Sequence, residues 1–317
     1  MFLKLVVQYR CNTVFLYILT RNEDMTGHNG NRLGEDVDMA YKLVCIDVDG
    51  TLLNRRGAIT KRTRDVLAKA HELGVHIVIS TGRMYTDAEY YSNLIGVKSP
   101  VIASNGAFIK DKDSKKVIYK DIFGSELSLE LLAVFRKHQI NPYFCTPQKF
   151  YYGTILFKLF YLGSKILGKR SNKLDLEYVF SWKQWQKVLH KEHDNIVKSE
   201  IIYREPALIQ GLKNELLQLP QIEIVDSSKY NIEITRKGVS KGKAVEILAA
   251  FYGLKREEIL VIGDSINDLS MIEFAGMGIA MGNALDIVKE RADYITDSND
   301  NEGVAKAINK FILNNRF

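Results

Sequence analysis

The sequence is poor in the features that mark special classes. Among 317 residues there are three cysteines, Cys11, Cys45 and Cys145. None is spaced as part of a metal cluster, and Cys45 lies inside an apolar stretch. Structural burial in a reducing compartment, the cytoplasm, is therefore expected. Long apolar runs are also missing. Met1–Thr20 is apolar and aromatic, but Lys4, Gln8, Arg10 and Asn12 interrupt it. Its longest clean piece, Thr13–Thr20, falls far short of the roughly 20 residues of a membrane span. No clear small-residue cleavage site follows to mark a signal peptide. Strong charge of one sign is lacking too. The formal net charge of +6 suits anionic small molecules and is too diffuse for nucleic acid. What remains, 46% hydrophobic and 26% charged, is ordinary globular material with length for about two domains.

Residues 1–38 do not resemble the rest, and Arg21–Asp38 is polar and loop-like. Met39-Ala40-Tyr41-Lys42 leads straight into an apolar stretch, as a natural amino terminus would. Translation is expected to start at Met39, and residues 1–38 are left out of the functional reading.

The chain is organised around Asp47-Val48-Asp49-Gly50-Thr51-Leu52. Leu43-Val44-Cys45-Ile46 before it reads as a strand buried on both faces, the kind found in parallel sheets. Side chains on a strand alternate faces, so Asp47 and Asp49 point the same way while the chain stays extended. Gly50 then allows a turn. Acids at the carboxyl end of a buried strand lie where open α/β sheets bind ligands. Two like charges so close call for a proton on one of them or a cation between them.

Further strand ends fall on the same rim. Thr60 caps a helix bearing Val66, Leu67 and Ala70, and Gly74 ends it. Val75–Ile79 is a second buried strand, which makes a β-α-β unit. His76 within it reads as a core histidine. Ser80-Thr81-Gly82-Arg83 closes this strand and is expected to open a helix, whose amino terminus suits a phosphate. Pro100–Ser104 leads to Asn105-Gly106-Ala107. Between Asp121 and Tyr230 the pattern changes to a separate α+β unit. Helices are expected near Leu127–His138, Ser181–Leu189 and Leu208–Leu219, and strands at Ile201–Tyr203 and Ile222–Val225. The aromatic, basic segment Phe150–Arg170 has helical spacing and reads as a packed face rather than a membrane-surface helix. His190 and His193 can share a helix face, but no acid or third ligand stands at metal spacing. The sheet is expected to resume with Asn231–Thr235. Ser240-Lys241-Gly242 then starts a helix with Ala244, Val245, Leu248 and Phe251 inward. Lys241 is badly placed for the helix dipole unless an anion sits before it. Ile259–Ile262 is another buried strand, ending in Gly263-Asp264-Ser265-Ile266-Asn267-Asp268, with Asp268 one helical turn after Asp264.

Acids closing two strands, a hydroxyl closing another and a lysine opening a helix together meet the needs of phosphoryl transfer. The phosphoryl charge needs a lysine and a hard cation with oxygen ligands. A carboxylate can attack phosphorus, and a second acid can protonate the leaving alcohol.

With these motifs, from Tyr41 to the carboxyl terminus, the sequence resembles the haloacid dehalogenase-like superfamily, most closely its Cof-type branch of sugar-phosphate phosphatases. Ala280-Met281-Gly282-Asn283-Ala284 matches as well. The resemblance implies an α/β fold: a Rossmann-like parallel sheet core over 39–120 and 231–317, with an inserted α+β cap over 121–230. It implies Asp47 as nucleophile and Mg²⁺ ligand, and Asp49 as general acid/base with its backbone carbonyl on the metal. Thr81 and Lys241 would hold the phosphoryl group, helped by the Val48 and Gly82 amides. Asp264 would be a further metal ligand, with Asp268 supporting the site. Asn267 would contact phosphate or nucleophile, and Asn105 would face the leaving group. The implied enzyme is a Mg²⁺-dependent phosphoric monoester hydrolase acting on a small phosphorylated metabolite, with no nucleic acid and no membrane span. Monomer and dimer are equally open. A phosphotransferase or mutase differs in passing the phosphoryl group to a sugar instead of water. A regulatory module that binds phosphate would keep it without release. The amino-terminal extension and the aromatic segment of the cap depart from the family pattern.

Overall fold

The computed structural model describes residues 40–155, 157, 159, 175–203, 206–228 and 231–314. The extension, Cys11 and most of the aromatic segment 150–170 therefore lie outside the described residues. The chain begins with β1 (Leu43–Ile46), α1 (Lys61–Glu72), β2 (His76–Ser80), α2 (Tyr85–Ile95) and β3 (Val101–Ala103). Two short strands follow, β4 (Phe108–Lys110) and β5 (Val117–Lys120). Next come α3 (Gly124–Lys137), β6 (Tyr143–Cys145), β7 (Lys149–Tyr152), β8 (Asp175–Tyr178) and α4 (Trp182–Lys191). After them stand β9 (Lys198–Ile202), α5 (Pro206–Leu216), β10 (Ile222–Ser228) and β11 (Asn231–Arg236). The chain closes with α6 (Lys241–Tyr252), β12 (Ile259–Gly263), α7 (Leu269–Phe274), β13 (Met277–Ala280), α8 (Asp286–Arg291), β14 (Tyr294–Ile295) and α9 (Gly303–Phe311).

The larger sheet runs β14-β13-β12-β1-β2-β3-β4-β5. Its first six strands are parallel, and β4 and β5 add an antiparallel edge. β1 sits between β12 and β2 with all four residues sealed from solvent. That is why its sequence is an unbroken apolar run rather than an alternating one. α1 begins at Thr60, whose hydroxyl accepts from the Thr63 amide, and buries Val66, Leu67 and Ala70 against this sheet.

The smaller sheet runs β10-β11-β9-β6-β7-β8 and is antiparallel except where β7 meets β8. Phe144, Ile201, Ile232 and Ile234 on one face pack with Phe135, Trp185, Leu189 and Leu212 from α3, α4 and α5. Their strand neighbours Tyr143, Lys198, Glu200 and Glu233 alternate onto the opposite face.

Three expectations change here. Asn231–Thr235 does not resume the larger sheet. It forms β11, paired to β9 and β10 in the smaller one, so the crossing back lies after Arg236. Its alternation of Ile232 and Ile234 with Glu233 is the mark of an antiparallel strand with one polar face. The helix after Thr81 starts only at Tyr85, with Met84 at its cap, so Thr81 and Gly82 lie in a loop. Phe251 is 51% exposed, because Ala244, Val245, Leu248 and Ala249 form the buried stripe of α6. Tyr252 continues that stripe and stacks on His76. Among the described residues no helix is long and apolar enough to cross a membrane.

Candidate active site

The carboxyl ends of β1, β2 and β12 converge on one cavity of about 600 Å³. Asp47 leaves β1 in extended conformation and is followed by a wide turn, closed by the Leu52 and Leu53 amides donating to the Asp47 and Val48 carbonyls. Gly50 adopts φ +85° there, which a side chain would resist, and a Cβ at this position would collide with the Asp264 carboxylate. Asn283 donates to the Gly50 carbonyl at 2.8 Å and so ties the turn to the segment after β13.

Asp47, Asp264 and Asp268 each place a carboxylate oxygen within 4.8 Å of the others. Lys241, sealed from solvent in the first turn of α6, donates to Asp47 Oδ1 and to Asp268 Oδ1, both at 2.6 Å. The misplaced helix-start cation thus has two anions in front of it. Burial and its removal of solvent would pull the lysine's pKa down. The two carboxylates outweigh that and hold it above the ordinary lysine value. Burial pushes the Asp47 carboxyl well up; Lys241 opposes this, and Asp268 and Asp264 add to it. Asp264 is raised to about 6, by burial first, with the Thr51 hydroxyl donating at 2.7 Å against the shift and Asp268 adding to it.

Three carboxylates, two of them buried, and one ammonium leave a double negative charge at this edge of the cavity. Hard oxygen donors with that charge deficit fit a dication such as Mg²⁺. The donors are not equivalent. Asp268 accepts from Lys241 through one oxygen and from the Asp264 and Ser265 amides at 2.9 and 3.0 Å through the other. Three of its four lone-pair sites are committed, and it fixes Lys241 and the Asp264 turn. Asp47 and Asp264 keep open lone pairs.

Thr81 and Gly82 line the same cavity. The Thr81 oxygen accepts from the Arg83 amide at 3.2 Å, leaving its own proton to donate. Ser104 and Asn105 follow β3 with φ of 52° and 56°, left-handed backbone that non-glycine residues adopt at a cost. Asn105 donates to Glu233 of β11 at 2.5 Å, and Asn267 donates to Asn105 at 3.3 Å. Val48 is buried in the turn.

The description haloacid dehalogenase-like hydrolase matches residues 44–308 as a family. The chain belongs to that family. The hydrolase is 34% identical over 279 residues to the 5-amino-6-(5-phospho-D-ribitylamino)uracil phosphatase YcsE of Bacillus subtilis, covering 88% of this chain and 98% of the relative. A haloacid dehalogenase-like hydrolase structure from Bacteroides thetaiotaomicron superimposes with a TM-score of 0.74 at 30% identity, over 85% of this chain and 99% of that one. A subclass IIB sugar phosphatase structure gives 0.69 at 26% identity, over 85% of this chain and 98% of that one.

The structure brings nine of the ten anticipated residues of this hydrolase into contact with the cavity or with one another, and encloses Val48 behind them. Asp49 stands apart from the acid cluster. Both its oxygens accept from Arg83, at 2.6 Å each, and the guanidinium also lies 5.1 Å over the Tyr91 ring. Sequence reasoning did not single out Arg83, nor Lys198, Glu200 and Glu233, which line the cavity from the smaller sheet. His193 lies 3.0 Å from Asp194 at the surface, and its Nδ1 faces the His190 carbonyl at 3.1 Å.

Proposed function

We propose that this phosphoric monoester hydrolase is a Mg²⁺-dependent phosphatase that cleaves small phosphorylated metabolites, sugar phosphates or similar, through an aspartyl-phosphate on Asp47. The observation that carries the reading is Lys241 held 2.6 Å from both Asp47 and Asp268, in one acid cluster with Asp264 at the carboxyl edge of a parallel sheet. Relatives named as a phosphatase and as a sugar phosphatase support the class of substrate. Two free, buried thiols, Cys45 and Cys145, support a cytoplasmic setting.

In this reading Asp47 and Asp264 would hold a Mg²⁺ through carboxylate oxygens, with the Asp49 carbonyl, and Asp268 would support the site. A bound Mg²⁺ supplies neutralisation of the phosphoryl oxygens. Lys241 and the Thr81 hydroxyl hold further phosphoryl oxygens, with the Val48 and Gly82 amides and Asn267. Asp47 Oδ attacks phosphorus, and the bond from phosphorus to the alcohol oxygen breaks. Asp49 protonates that oxygen as it leaves, then takes the proton of the water that attacks phosphorus and frees Asp47. Asn105 faces the departing alcohol.

The test is hydrolysis of p-nitrophenyl phosphate, followed by release of inorganic phosphate. Chelation should stop turnover and added Mg²⁺ restore it. Asp47→Asn should lower the rate by about 10³-fold or more with the fold intact. Turnover by the chelated enzyme or by Asp47→Asn contradicts the reading. Transfer to an added sugar with no free phosphate would mark a phosphotransferase instead.

A further inference from the structure

The polar face of the smaller sheet looks onto the phosphoryl site with three ionisable side chains. Lys198 and Glu200 are two residues apart on β9 and so share a face. Glu233 on β11 stands directly across from Glu200 in the strand register. Like charges facing each other across neighbouring strands are destabilising. Lys198 offsets this, lying 2.5 Å from Glu200 and 3.3 Å from Glu233, with its side chain only 2% exposed. Burial would lower the pKa of Lys198, but Glu200 and Glu233 outweigh that and hold it charged.

The cluster is anchored to the phosphate side of the cavity. Lys198 donates to the Gly82 carbonyl at 2.6 Å, and Glu233 accepts from Asn105 at 2.5 Å. The packing leaves no space for a side chain at Gly82: a Cβ there would stand 2.8 Å from Asn105 Oδ1 and 3.1 Å from Glu233 Oε2. All three ionisable residues line the same cavity as Asp47 and Thr81.

Counting donors and acceptors shows what this wall lacks. The three protons of Lys198 are spent on Gly82, Glu200 and Glu233. Arg83, another cation lining the cavity, pairs its charge with Asp49 through two of its five N–H donors, with Asp87 3.7 Å away. Two carboxylates carry more lone pairs than these donors use, and one ammonium does not neutralise them both. Glu200 and Glu233 together thus offer acceptors and a net negative charge to donors on a ligand.

We propose that Glu200 and Glu233, positioned by Lys198, form the leaving-group site of this enzyme, taking alcohols that carry hydroxyl or ammonium donors and rejecting those that carry a second anionic group. The proposal rests on the phosphatase reading above. It separates substrates of equal size by charge, because an anion facing two carboxylates that share one ammonium is repelled.

The experiment uses three substrates with the same six-carbon chain and terminal phosphate: glucosamine 6-phosphate, glucose 6-phosphate and 6-phosphogluconate. The full-length enzyme with Mg²⁺ should favour the first two over 6-phosphogluconate by about tenfold or more in kcat/KM. Glu200→Gln and Glu233→Gln should narrow that gap, raising KM for the neutral and cationic substrates and lowering it for the anionic one. A merely structural role would scale all three alike. Equal use of the three by the wild type overturns the site, as do variants that shift them in parallel. So does turnover of p-nitrophenyl phosphate with all three sugars refused. No turnover even of p-nitrophenyl phosphate overturns the phosphatase reading itself and this site with it. The wild-type series decides the matter even if a variant fails to fold.

Discussion

The ammonium of Lys241 lies 2.6 Å from Oδ1 of Asp268, and neither side chain reaches solvent. A lysine opening a helix opposes the helix dipole, and an aspartate buried in the turn before α7 pays for its own desolvation. Each makes the other tolerable, and Asp47 completes the bridge at the same distance. Lys241→Met would leave two buried carboxylates without their counter-ion. It should abolish activity and lower stability by about 3–5 kcal/mol, read from urea unfolding. A stable variant, or an active one, would show that the bridge is not essential.

Gly50→Ala separates metal binding from folding. The added methyl would press on the Asp264 carboxylate and force an L-residue to φ +85°. The Mg²⁺ concentration for half-maximal activity should rise by about tenfold or more, with a stability loss of about 1–3 kcal/mol. An unchanged Mg²⁺ requirement would remove Asp264 from the metal site.

Asp49→Asn should respond to the leaving group. A sugar alcohol needs a proton as it departs, whereas p-nitrophenolate does not. The rate for glucose 6-phosphate should fall by about 10²–10⁴-fold, and that for p-nitrophenyl phosphate by much less. Equal losses on both substrates would take the acid role away from Asp49.

The pH dependence of stability has a contribution from His76. Burial, reinforced by His71, lowers its pKa below the ordinary value, so the unfolded chain binds the proton more readily. The stability owed to neutral His76 is full above a pH of roughly 6.5. It is lost as the pH falls through that value, until the lowered folded-state pKa is also passed. His76→Phe keeps an aromatic ring against Tyr252, 3.8 Å away between centroids in the wild type. Urea midpoints at pH 7.5 and pH 5 should therefore differ more for the wild type than for the variant. Parallel losses would contradict this.

Much of the larger sheet was legible because buried parallel strands announce themselves. Leu43–Ile46, Val75–Ile79 and Ile259–Ile262 are apolar runs, and the polar residue that ends each run marks the rim. Lys241 was legible through its conflict with the helix dipole. Asn231–Thr235, expected in the larger sheet, belongs to the smaller one, as its alternation of apolar and polar residues indicates. Thr81 was placed at a helix start because Ser and Thr so often cap helices, whereas the chain runs on to Met84 before α2 begins. Lys198, Glu200 and Glu233 carried only the weak signal of charges alternating with apolar residues on a strand. Their meaning depends on contacts with Gly82 and Asn105, 116 and 128 positions away, which no local pattern encodes. The pairing of Asp49 with Arg83 is equally a product of tertiary packing, across 34 positions.

The central claim is that Asp47 carries the phosphoryl group between two half-reactions. Quenching the working enzyme with borohydride reduces an aspartyl-phosphate to homoserine, which peptide mass spectrometry locates. The account predicts homoserine at position 47, dependent on substrate and on Mg²⁺. An enzyme that turns over with aspartate intact at position 47, or with homoserine at another carboxylate, would contradict it.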